Sequence, residues 1–291
     1  MQDYKVSFCI VLYQQPFEVL TRVVRSILLY QGEKRLYLID NSATNKLESL
    51  SQLDTNITYM WLGQNVGFGQ ANNIAIKMAS EWGSKYHFMV NPDIYYTEDV
   101  ASQMIAYMET HRDVGGMMPQ ILNPDHTNQF LPKLAPSPWT LFWRKCQWPA
   151  AMHKKVIQTF EMRSMKQDRP YDIIHITGCF CAYRTDILVE VGGFDDRYFM
   201  YFEDTDLSRR IHSKWRTIYY PLVHVFHDYG NGAAKEPRLF FRFIVSAFKY
   251  FCKWGFIDVE GQKLNKAILS QLASQDTLSK NLCNQAHRNR P

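Results

Sequence analysis

The sequence predicts an α/β fold in which helices flank a mixed, mostly parallel sheet. Short apolar, β-rich runs alternate with amphipathic helical patterns, and polar or glycine-rich loops follow the predicted strands. Apolar residues make up 46% of the 291-residue chain, which is enough for a sizeable core. We therefore expect a large main domain and a smaller appendage.

The first third of the chain alternates most regularly. Residues 5–13 predict a buried strand, and Pro16 opens a helical pattern. Further strands are expected at residues 35–39, 57–62 and 86–90. One helix is expected at about 70–82, and another runs from a cap at Thr97 to about His111.

The remainder is less regular. Residues 130–170, with three tryptophans and many cations, predict a loop-rich insertion. Beyond it we expect a strand at 173–183, a helix from near Thr205 and a short strand at 217–220. The predicted domains are 1–235 and a C-terminal extension at 236–291, which consists of an amphipathic helix and a polar tail, disordered beyond about Ser274.

Three predicted strands end in loops suited to ligand binding. Asp40 follows the second strand, Asn65 to Gly69 follow the third, and Asp93 follows the fourth in Asn-Pro-Asp. Ligands of such sheets bind beyond the carboxyl ends of the strands, so these loops predict one shared crevice. Asp93 would suit a hard divalent cation with diphosphate oxygens completing its shell, although Asn-Pro-Asp also makes an ordinary turn.

The densest acidic cluster is Glu203-Asp204-Thr205-Asp206, which follows an aromatic run. One interpretation of this cluster is purely structural: Asp204 or Thr205 caps a helix, and Asp206 lies in its first turn. An acid beside so much apolar surface is also suited to act as a general base, the role predicted for Asp204. His227 is a candidate metal ligand; His224, three positions earlier, would point to the opposite face of a strand.

Composition narrows the setting. The six cysteines form no C-x-x-C pair, and Cys179 and Cys181 would share one face of a strand, so structural thiols in a reducing compartment are expected. The formal net charge of +5 fits a phosphate-bearing partner or an anionic membrane surface without requiring nucleic acid. The sequence shows no signal peptide and no run long enough to cross a bilayer, which predicts a cytoplasmic protein.

Six stretches occur in an order that resembles the family 2 inverting glycosyltransferases of the GT-A fold. The closest likeness is to the bacterial rhamnosyltransferase branch that builds O-antigen and capsule. The stretches are VSFCIVLYQQP, LIDNSAT, NVGFGQANNIAI, NPDIYY, ITGCFCAYRTDILVEVGGFDDRYFMYFEDTDLSRRI and PLVHVFHDYG, and they cover roughly residues 5–230.

The resemblance implies a role for each matching residue. The residues expected to contact the donor are Tyr13, Asp40, Asn65, Gly67, Phe68, Gly69 and Asn91. Asn91 stands where the family's Asp-x-Asp motif has its first aspartate, and Asp93 takes its last position as a metal ligand with His227. Asp204 matches the catalytic aspartate, with Glu203 beside it.

The implied reaction is a single displacement with inversion at the anomeric carbon, assisted by Mg²⁺ or Mn²⁺. Thymidine diphosphate rhamnose is the expected donor, with a uridine diphosphate hexose or galactofuranose as the alternative. A glycan on a polyprenyl diphosphate is the expected acceptor.

Other classes fit less well. A dinucleotide-dependent oxidoreductase needs G-x-G-x-x-G after the first strand, where Gln14-Gln15-Pro16 stands instead. A sugar nucleotidyltransferase would need a glycine-rich basic loop there. A non-catalytic nucleotide-sugar-binding module would have no use for the acidic cluster.

The segment from Arg238 to Trp254 predicts a helix that is apolar on most of its circumference. Four cations fall in one arc of roughly 60° on a helical wheel at about 100° per residue: Arg238, Arg242, Lys249 and Lys253. Such a helix is suited to the cytoplasmic face of a membrane, with its cations near anionic head groups. The alternative is a helix that packs on the main domain with its basic edge in water.

Overall fold

The computed structural model describes residues 4–146, 148–228 and 237–288, with side chains described as far as Ser274. The described residues form nine strands in one sheet: β1 (Lys5–Leu12), β2 (Lys34–Asp40), β3 (Ile57–Trp61), β4 (Ser84–Val90), β5 (Ile94–Tyr95), β6 (Val114–Leu122), β7 (Tyr171–Asp172), β8 (Phe180–Arg184) and β9 (Arg216–His227).

Helices flank this sheet. Those of the described residues are α1 (Phe17–Leu28), α2 (Phe68–Trp82), α3 (Val100–Thr110), α4 (Pro138–Lys145), α5 (Ala150–Phe160), α6 (Thr185–Glu190), α7 (Glu203–His212), α8 (Pro237–Trp254) and α9 (Val259–Arg288), with a 3₁₀ helix at Glu48–Leu53.

The strand order is β3-β2-β1-β4-β8-β6-β9-β5, with β7 also paired to β9. The first four strands are parallel, and β6 runs parallel to β9, while β8 pairs antiparallel with both β4 and β6. The predicted mixed sheet with flanking helices is thus confirmed. The carboxyl ends of β1 to β4 meet at one edge, as the prediction of a shared crevice requires.

The regular first third follows from its hydrophobic pattern. Strands β1, β2 and β4 are buried along nearly their whole length, as expected for strands covered on both faces. Helix α1 buries Leu20, Val23, Val24 and Ile27, which recur at helical spacing and form its sheet-facing side. In this first third the predicted boundaries of strands and helices hold to within a few residues. The exception is the cap of α3, which is Asp99 rather than Thr97; the Asp99 side chain accepts from the Ser102 N–H.

Several predictions for the later segments are wrong. Residues 130–170 are not loop-rich throughout, because they contain α4 and α5. Of the residues predicted to form one strand at 173–183, only those of β8 do so. Upstream of β8 the Ile176 N–H bonds the Ser208 hydroxyl of α7 rather than a neighbouring strand. Strand β6 and helix α6 were not anticipated.

The chain beyond residue 236 packs on the preceding part. The C-terminal tail is helical to Arg288, contrary to the predicted disorder, and Leu264, Ile268 and Leu272 pack on the core at four-residue spacing. Tyr250 of α8 packs against Tyr198 and Phe202 in a separate apolar cluster.

A buried ion pair fixes this arrangement. The Arg209 guanidinium of α7 contacts both carboxylate oxygens of Asp258, which lies between α8 and α9, and also the Tyr250 hydroxyl. The Arg209 guanidinium also lies 4.1 Å from the centre of the Trp254 ring. Helix α7 and the C-terminal helices are therefore tied through charge, hydrogen bonds and aromatic contact.

Candidate functional site

The glycine-rich loop after β3 is held against the acidic turn. Gly67 has φ +91°, and a Cβ built on it would lie 2.4 Å from the Phe199 carbonyl oxygen. The Phe68 N–H donates to that same carbonyl at 3.3 Å. Asn65 accepts from the Gly67 N–H at 3.0 Å, and Asn41 donates to the Gly67 carbonyl. Glycine is needed here because the backbones of two segments meet.

Asp40 and Tyr13 lie further along the same sheet edge. Asp40 is fully buried, and its carboxylate oxygens accept from the Ser42 N–H at 2.8 Å and the Tyr59 hydroxyl at 2.6 Å. Burial, followed by this hydrogen bond, raises the pKa of Tyr59. Tyr13 is 47% exposed and Trp61 is 46% exposed. The Trp61 indole N–H donates to the Ser42 carbonyl.

The acidic turn has an unusual backbone. Tyr201 and Phe202 both adopt positive φ, at +69° and +66°, which bulky side chains rarely do outside strained functional turns. Helix α7 begins at Glu203 directly after Phe202, so neither Asp204 nor Thr205 is its N-cap, contrary to the structural alternative. Asp206 is in the first turn as expected.

Asp204 is oriented by backbone donors. Its Oδ2 accepts from the Gly178 N–H at 3.2 Å and its Oδ1 from the Thr205 N–H at 2.7 Å. His175 Nε2 lies 3.8 Å from Asp204 Oδ2, and burial lowers the pKa of His175 to about 4. The imidazole is thus neutral near pH 7 and does not form a charged pair with Asp204.

Glu203 differs from its neighbour. Its side chain is buried, and Oε2 has no hydrogen-bond partner among the described residues. Burial, and secondarily the charge of Asp204, raises the pKa of Glu203 to about 8. Near neutral pH Glu203 therefore holds a proton and is unsuited to act as a base.

Asp93 and His227 face each other beside β5 and β9. The distance between Asp93 Oδ1 and His227 Nε2 is 3.2 Å. His227 Nδ1 lies 3.0 Å from Gln129 Oε1, while Gln129 Nε2 donates to Asn123 Oδ1 and to the His227 carbonyl. Because these two bonds fix the amide orientation, Nδ1 carries the proton in neutral His227 and Nε2 turns a lone pair toward Asp93.

This pair fits a divalent cation. Two lone-pair atoms at 3.2 Å repel unless a proton or a cation lies between them, and Asp93 Oδ1 is buried without a hydrogen bond. A histidine that binds a metal through one ring nitrogen commonly donates its other ring N–H to a fixed acceptor. Among the described residues no third His, Cys, Asp or Glu joins the pair. The remaining positions would suit phosphate oxygens and water.

One open cavity of about 800 Å³ brings many of these groups together. Five predicted residues line it: Phe68, Asn91, Glu203, Asp204 and His227. The Thr177-to-Cys179 segment bridges them, since Gly178 donates to Asp204 and the Cys179 carbonyl accepts from the Asn91 N–H at 2.7 Å. The other predicted site residues do not line this cavity: Tyr13, Asp40, Asn65, Gly67, Gly69 and Asp93, of which Asp93 reaches it only through His227.

Several residues at the site were missed by sequence reasoning. Lys133 and Arg163 line the cavity, Gln129 orients His227, and His175 lies beside Asp204. His175 carries a weak signal, because a lone histidine interrupts the apolar run Ile173-Ile174. The sequence offers no such signal for Gln129 and Arg163, because their positions depend on how a segment without a recognisable periodic pattern folds.

Among the described residues, the cysteine thiols make none of these contacts; Cys179 takes part through its backbone carbonyl. Cys9, Cys179 and Cys181 are free and buried, and burial raises the pKa of each thiol, to about 12 for Cys179. The side chain of Cys283 lies outside the described residues. His224 is exposed and His227 buried, as predicted for opposite faces of one strand.

Comparisons with known proteins identify a sequence family and agree with the fold. A sequence model described as "Glycosyl transferase family 2" matches residues 7–192. The chain is 25% identical over 220 residues to an N-acetylglucosaminyl-diphospho-decaprenol L-rhamnosyltransferase of Mycobacterium tuberculosis, covering 69% of this chain and 68% of that protein. It is 26% identical over 236 residues to rhamnosyltransferase WbbL of Escherichia coli K12, covering 75% and 79%.

Solved structures show the same architecture. GalNAc-T7, solved with UDP, GalNAc and Mn²⁺, superposes with a TM-score of 0.59 at 16% identity, covering 84% of this chain. TarS of Staphylococcus aureus gives a TM-score of 0.55 at 14% identity, covering 85% of this chain. The chain spans only 48% and 40% of those two proteins, so the likeness concerns the fold, and the expected GT-A fold is confirmed.

Proposed function

The chain belongs to glycosyl transferase family 2, and we propose that it transfers a sugar from a nucleoside diphosphate sugar to a lipid-linked glycan, with inversion at the anomeric carbon. The observation that carries the proposal is the position of Asp204. Its carboxylate is held by two backbone N–H groups at the border of a cavity that extends to Asn91 and His227. A base fixed in this way needs no rearrangement before it accepts a proton.

The proposed step is one displacement. The acceptor hydroxyl oxygen forms a bond to the anomeric carbon while the bond from that carbon to the diphosphate oxygen breaks, and the hydroxyl proton passes to Asp204. Protonated Glu203 keeps the neighbouring position uncharged. The backbone N–H groups of Gly178 and Thr205 hold the Asp204 carboxylate toward the hydroxyl.

Asp93 and His227 would hold Mg²⁺ or Mn²⁺, which when bound offsets the negative charge on the departing diphosphate. Asp93→Ala should abolish transfer and weaken donor binding, and excess chelator should have the same effect on the wild type. Gln129→Leu would free the His227 Nδ1 proton from its acceptor, so it should weaken metal affinity about 10- to 100-fold. Full activity in excess chelator would refute the metal requirement.

Thymidine diphosphate rhamnose is the proposed donor, supported by the two rhamnosyltransferase relatives. A uridine diphosphate hexose or galactofuranose is the alternative, since Asp40 does not distinguish the two pyrimidine bases. The decisive experiment measures nucleotide release from a panel of these donors. Release from one donor identifies it, whereas binding without release from any would indicate a non-catalytic nucleotide-sugar-binding module.

The proposed setting is the cytoplasmic membrane surface, in the synthesis of a bacterial surface polysaccharide such as O-antigen or capsule. Among the described residues no helix is long and apolar enough to cross a bilayer. Helix α8, however, buries only one side, with Ser246, Ala247, Tyr250 and Phe251. Its opposite side exposes a row of large apolar side chains: Phe240, Phe241, Ile244 and Phe248, continued by Phe256 and Ile257.

The cations of α8 are only partly available to head groups. Lys253 pairs with Asp195 and Asp206 at 2.8 Å and 2.6 Å, so its charge is already neutralised by the protein. Arg238, Arg242 and Lys249 are exposed and flank the apolar row. The four-residue basic stripe expected from the sequence therefore reduces to three.

We propose that this apolar row enters the interface of an anionic bilayer, with the three cations near its head groups. Sedimentation with phosphatidylglycerol vesicles tests this. Binding should fall with salt and weaken when Arg238, Arg242 and Lys249 become glutamine. The matched control changes the exposed lysines Lys46, Lys77 and Lys263 instead and should bind as the wild type. Absence of binding at low salt would refute the membrane role and leave the transferase proposal intact.

A further inference from the structure

A second cavity, of about 330 Å³, lies on the other side of Asp204. It shares Lys133, Thr177, Tyr201 and Asp204 with the larger cavity. Its remaining walls come from the 134–160 segment, from His175 and from Phe243 of α8. Because inversion requires the acceptor to approach opposite the departing diphosphate, a cavity across Asp204 from the Asp93–His227 pair is placed for the acceptor.

The charges in this second cavity are predominantly positive. The Lys133 ammonium, which is half-buried, forms no hydrogen bond or ion pair with any described residue. Burial, and then the positive charge of Arg144, lowers the pKa of Lys133. Arg144 is only 3.9 Å from Glu161, a carboxylate that already accepts two hydrogen bonds from Arg163. Lys133, partly desolvated and without an ion pair, and Arg144, with only this long ion pair, therefore favour an anionic ligand.

The exterior of the second cavity is apolar. Leu141 of α4 and Phe243 of α8 form opposite parts of its wall, and Lys145 Nζ lies 5.5 Å above the Phe240 ring, so the two helices are adjacent. Large exposed apolar side chains continue outward on both helices: Trp139 and Phe142 on α4, with Phe240, Phe241, Ile244 and Phe248 on α8. The order from the inside outward is thus carboxylate, cations and apolar surface.

This order matches a sugar, a diphosphate and a polyprenyl chain. We propose that Lys133 and Arg144 bind the diphosphate of the lipid-linked acceptor, with the sugar hydroxyl at Asp204 and the lipid leaving between α4 and α8. The inference rests on the proposed function in taking the acceptor to be a lipid diphosphate. Arg144 is the more specific residue, because Lys133 also lines the donor-side cavity and Arg144 lines only this one.

The test uses farnesyl diphosphate, a lipid diphosphate that carries no sugar. Its binding to the full chain is measured by calorimetry with Mg²⁺ and saturating thymidine or uridine diphosphate, whichever binds, so that the donor site is filled. Arg144→Gln should raise its Kd roughly 10- to 100-fold, because a hydrogen bond to a charged group contributes about 1.5–3 kcal/mol. Arg144→Lys should recover part of the loss.

Lys155→Gln is the matched control, since Lys155 is an exposed cation on α5 that lies outside the cavity and away from the proposed lipid exit between α4 and α8. It should leave the Kd unchanged, and farnesol should bind far more weakly than its diphosphate. Equal binding of farnesol, or an unchanged Kd in Arg144→Gln, would overturn the inference. So would a loss of nucleoside diphosphate binding in that variant, which would assign Arg144 to the donor. Nucleotide release from a sugar donor by the same preparation tests the proposed function separately.

Discussion

The two sides of Asp204 are built in different ways. The donor side, comprising the loops after β1 to β4, places its polar groups at or beyond the carboxyl ends of parallel strands. The acceptor side, comprising residues 130–170 and α8, has no strand ladder to fix it. It depends instead on contacts such as Ala135 N–H to Asn265 Oδ1, which join residues 130 positions apart.

This difference indicates which side can vary independently. Donor-side geometry follows from strand register and one glycine, so most substitutions there disturb the sheet itself. Acceptor-side geometry follows from the packing of α4, α5 and α8, which can be exchanged without altering any strand. A protein built in this way can change its acceptor while it keeps its donor site, and four perturbations test that separation.

The largest effect is expected at Asp204, where the two sides meet. Asp204→Asn keeps one oxygen that can accept from either Gly178 or Thr205, but it loses the second oxygen and cannot accept the acceptor proton, so kcat should fall by about 10²- to 10⁴-fold. Donor affinity should not change. Glu203→Gln is the control, since Glu203 is already protonated near pH 7, and it should retain most activity. A Glu203→Gln loss as large as that of Asp204→Asn would mean that the two roles are wrongly divided.

The next largest effect concerns the acceptor side. Asp258→Asn leaves the buried Arg209 guanidinium without its counter-charge, which typically costs about 3–5 kcal/mol of unfolding free energy. Thermal unfolding should show a marked drop in Tm, and the acceptor KM should rise while donor affinity is retained. Glu190→Gln removes an exposed pair with Lys214 and should cost less than about 1 kcal/mol. Equal effects on donor and acceptor binding would show that the two sides are coupled.

The third perturbation concerns the donor side and uses two glycines with positive φ. Gly67 has φ +91° and ψ 169°, a conformation nearly restricted to glycine, and a Cβ there meets the Phe199 carbonyl; Gly83 has φ +78° and ψ 31°, and a Cβ there meets nothing within 4 Å. Alanine should cost about 1–2 kcal/mol at Gly83 for the left-handed conformation alone, and more than that at Gly67. Only Gly67→Ala should also weaken donor binding, measured by titration with the nucleoside diphosphate. Similar donor affinity in both variants would refute the role of the close approach.

The contrast between the sides also explains what the sequence could predict. Helix α1 and strands β1 to β4 follow from hydrophobic periodicity over short windows, so they are recognisable without tertiary information. The strand-end loops carrying Asp40, Asn65 and Asp93 were predictable for the same reason. The short motifs that resemble the family lie mostly on this regular framework.

The acceptor side was not predictable because its signals are not local. Lys133 lies between prolines in LPKLAP, which is typical of a loop, and nothing nearby shows that it meets Arg144 and Asp204. The segment at 173–178 is apolar enough for a strand, yet among the described residues only the Ile173 N–H bonds strand β9, while the Ile176 N–H bonds the Ser208 hydroxyl of α7. Likewise the cations of α8 share one arc on a wheel, but only the fold shows that Asp195 and Asp206 already pair with Lys253.

The smallest effect on activity is expected at Glu203, on the border between the two sides, where the measurable change is the pH dependence of stability. Its pKa is raised from 4.5 to about 8, chiefly by burial. Between these values the folded protein holds one proton more than the unfolded chain at this group. The contribution of Glu203 is therefore fully present below about pH 4.5 and is lost as pH rises toward 8, by about 1.4 kcal/mol per pH unit.

The matched comparison is the unfolding free energy of the wild type minus that of Glu203→Gln, measured in urea between pH 5.5 and 7.5. Subtraction removes the groups common to both proteins, so the difference should fall steadily with rising pH. When Asp204→Asn is present in both proteins, the same difference in unfolding free energy should fall over a narrower pH range, because the Asp204 charge is the second cause of the raised Glu203 pKa. The difference should still fall, because burial is the first cause. Parallel curves for the two proteins would mean that Glu203 is ionised in the fold. Two adjacent carboxylates would then share the turn, and the assignment of the proton to Asp204 would need revision.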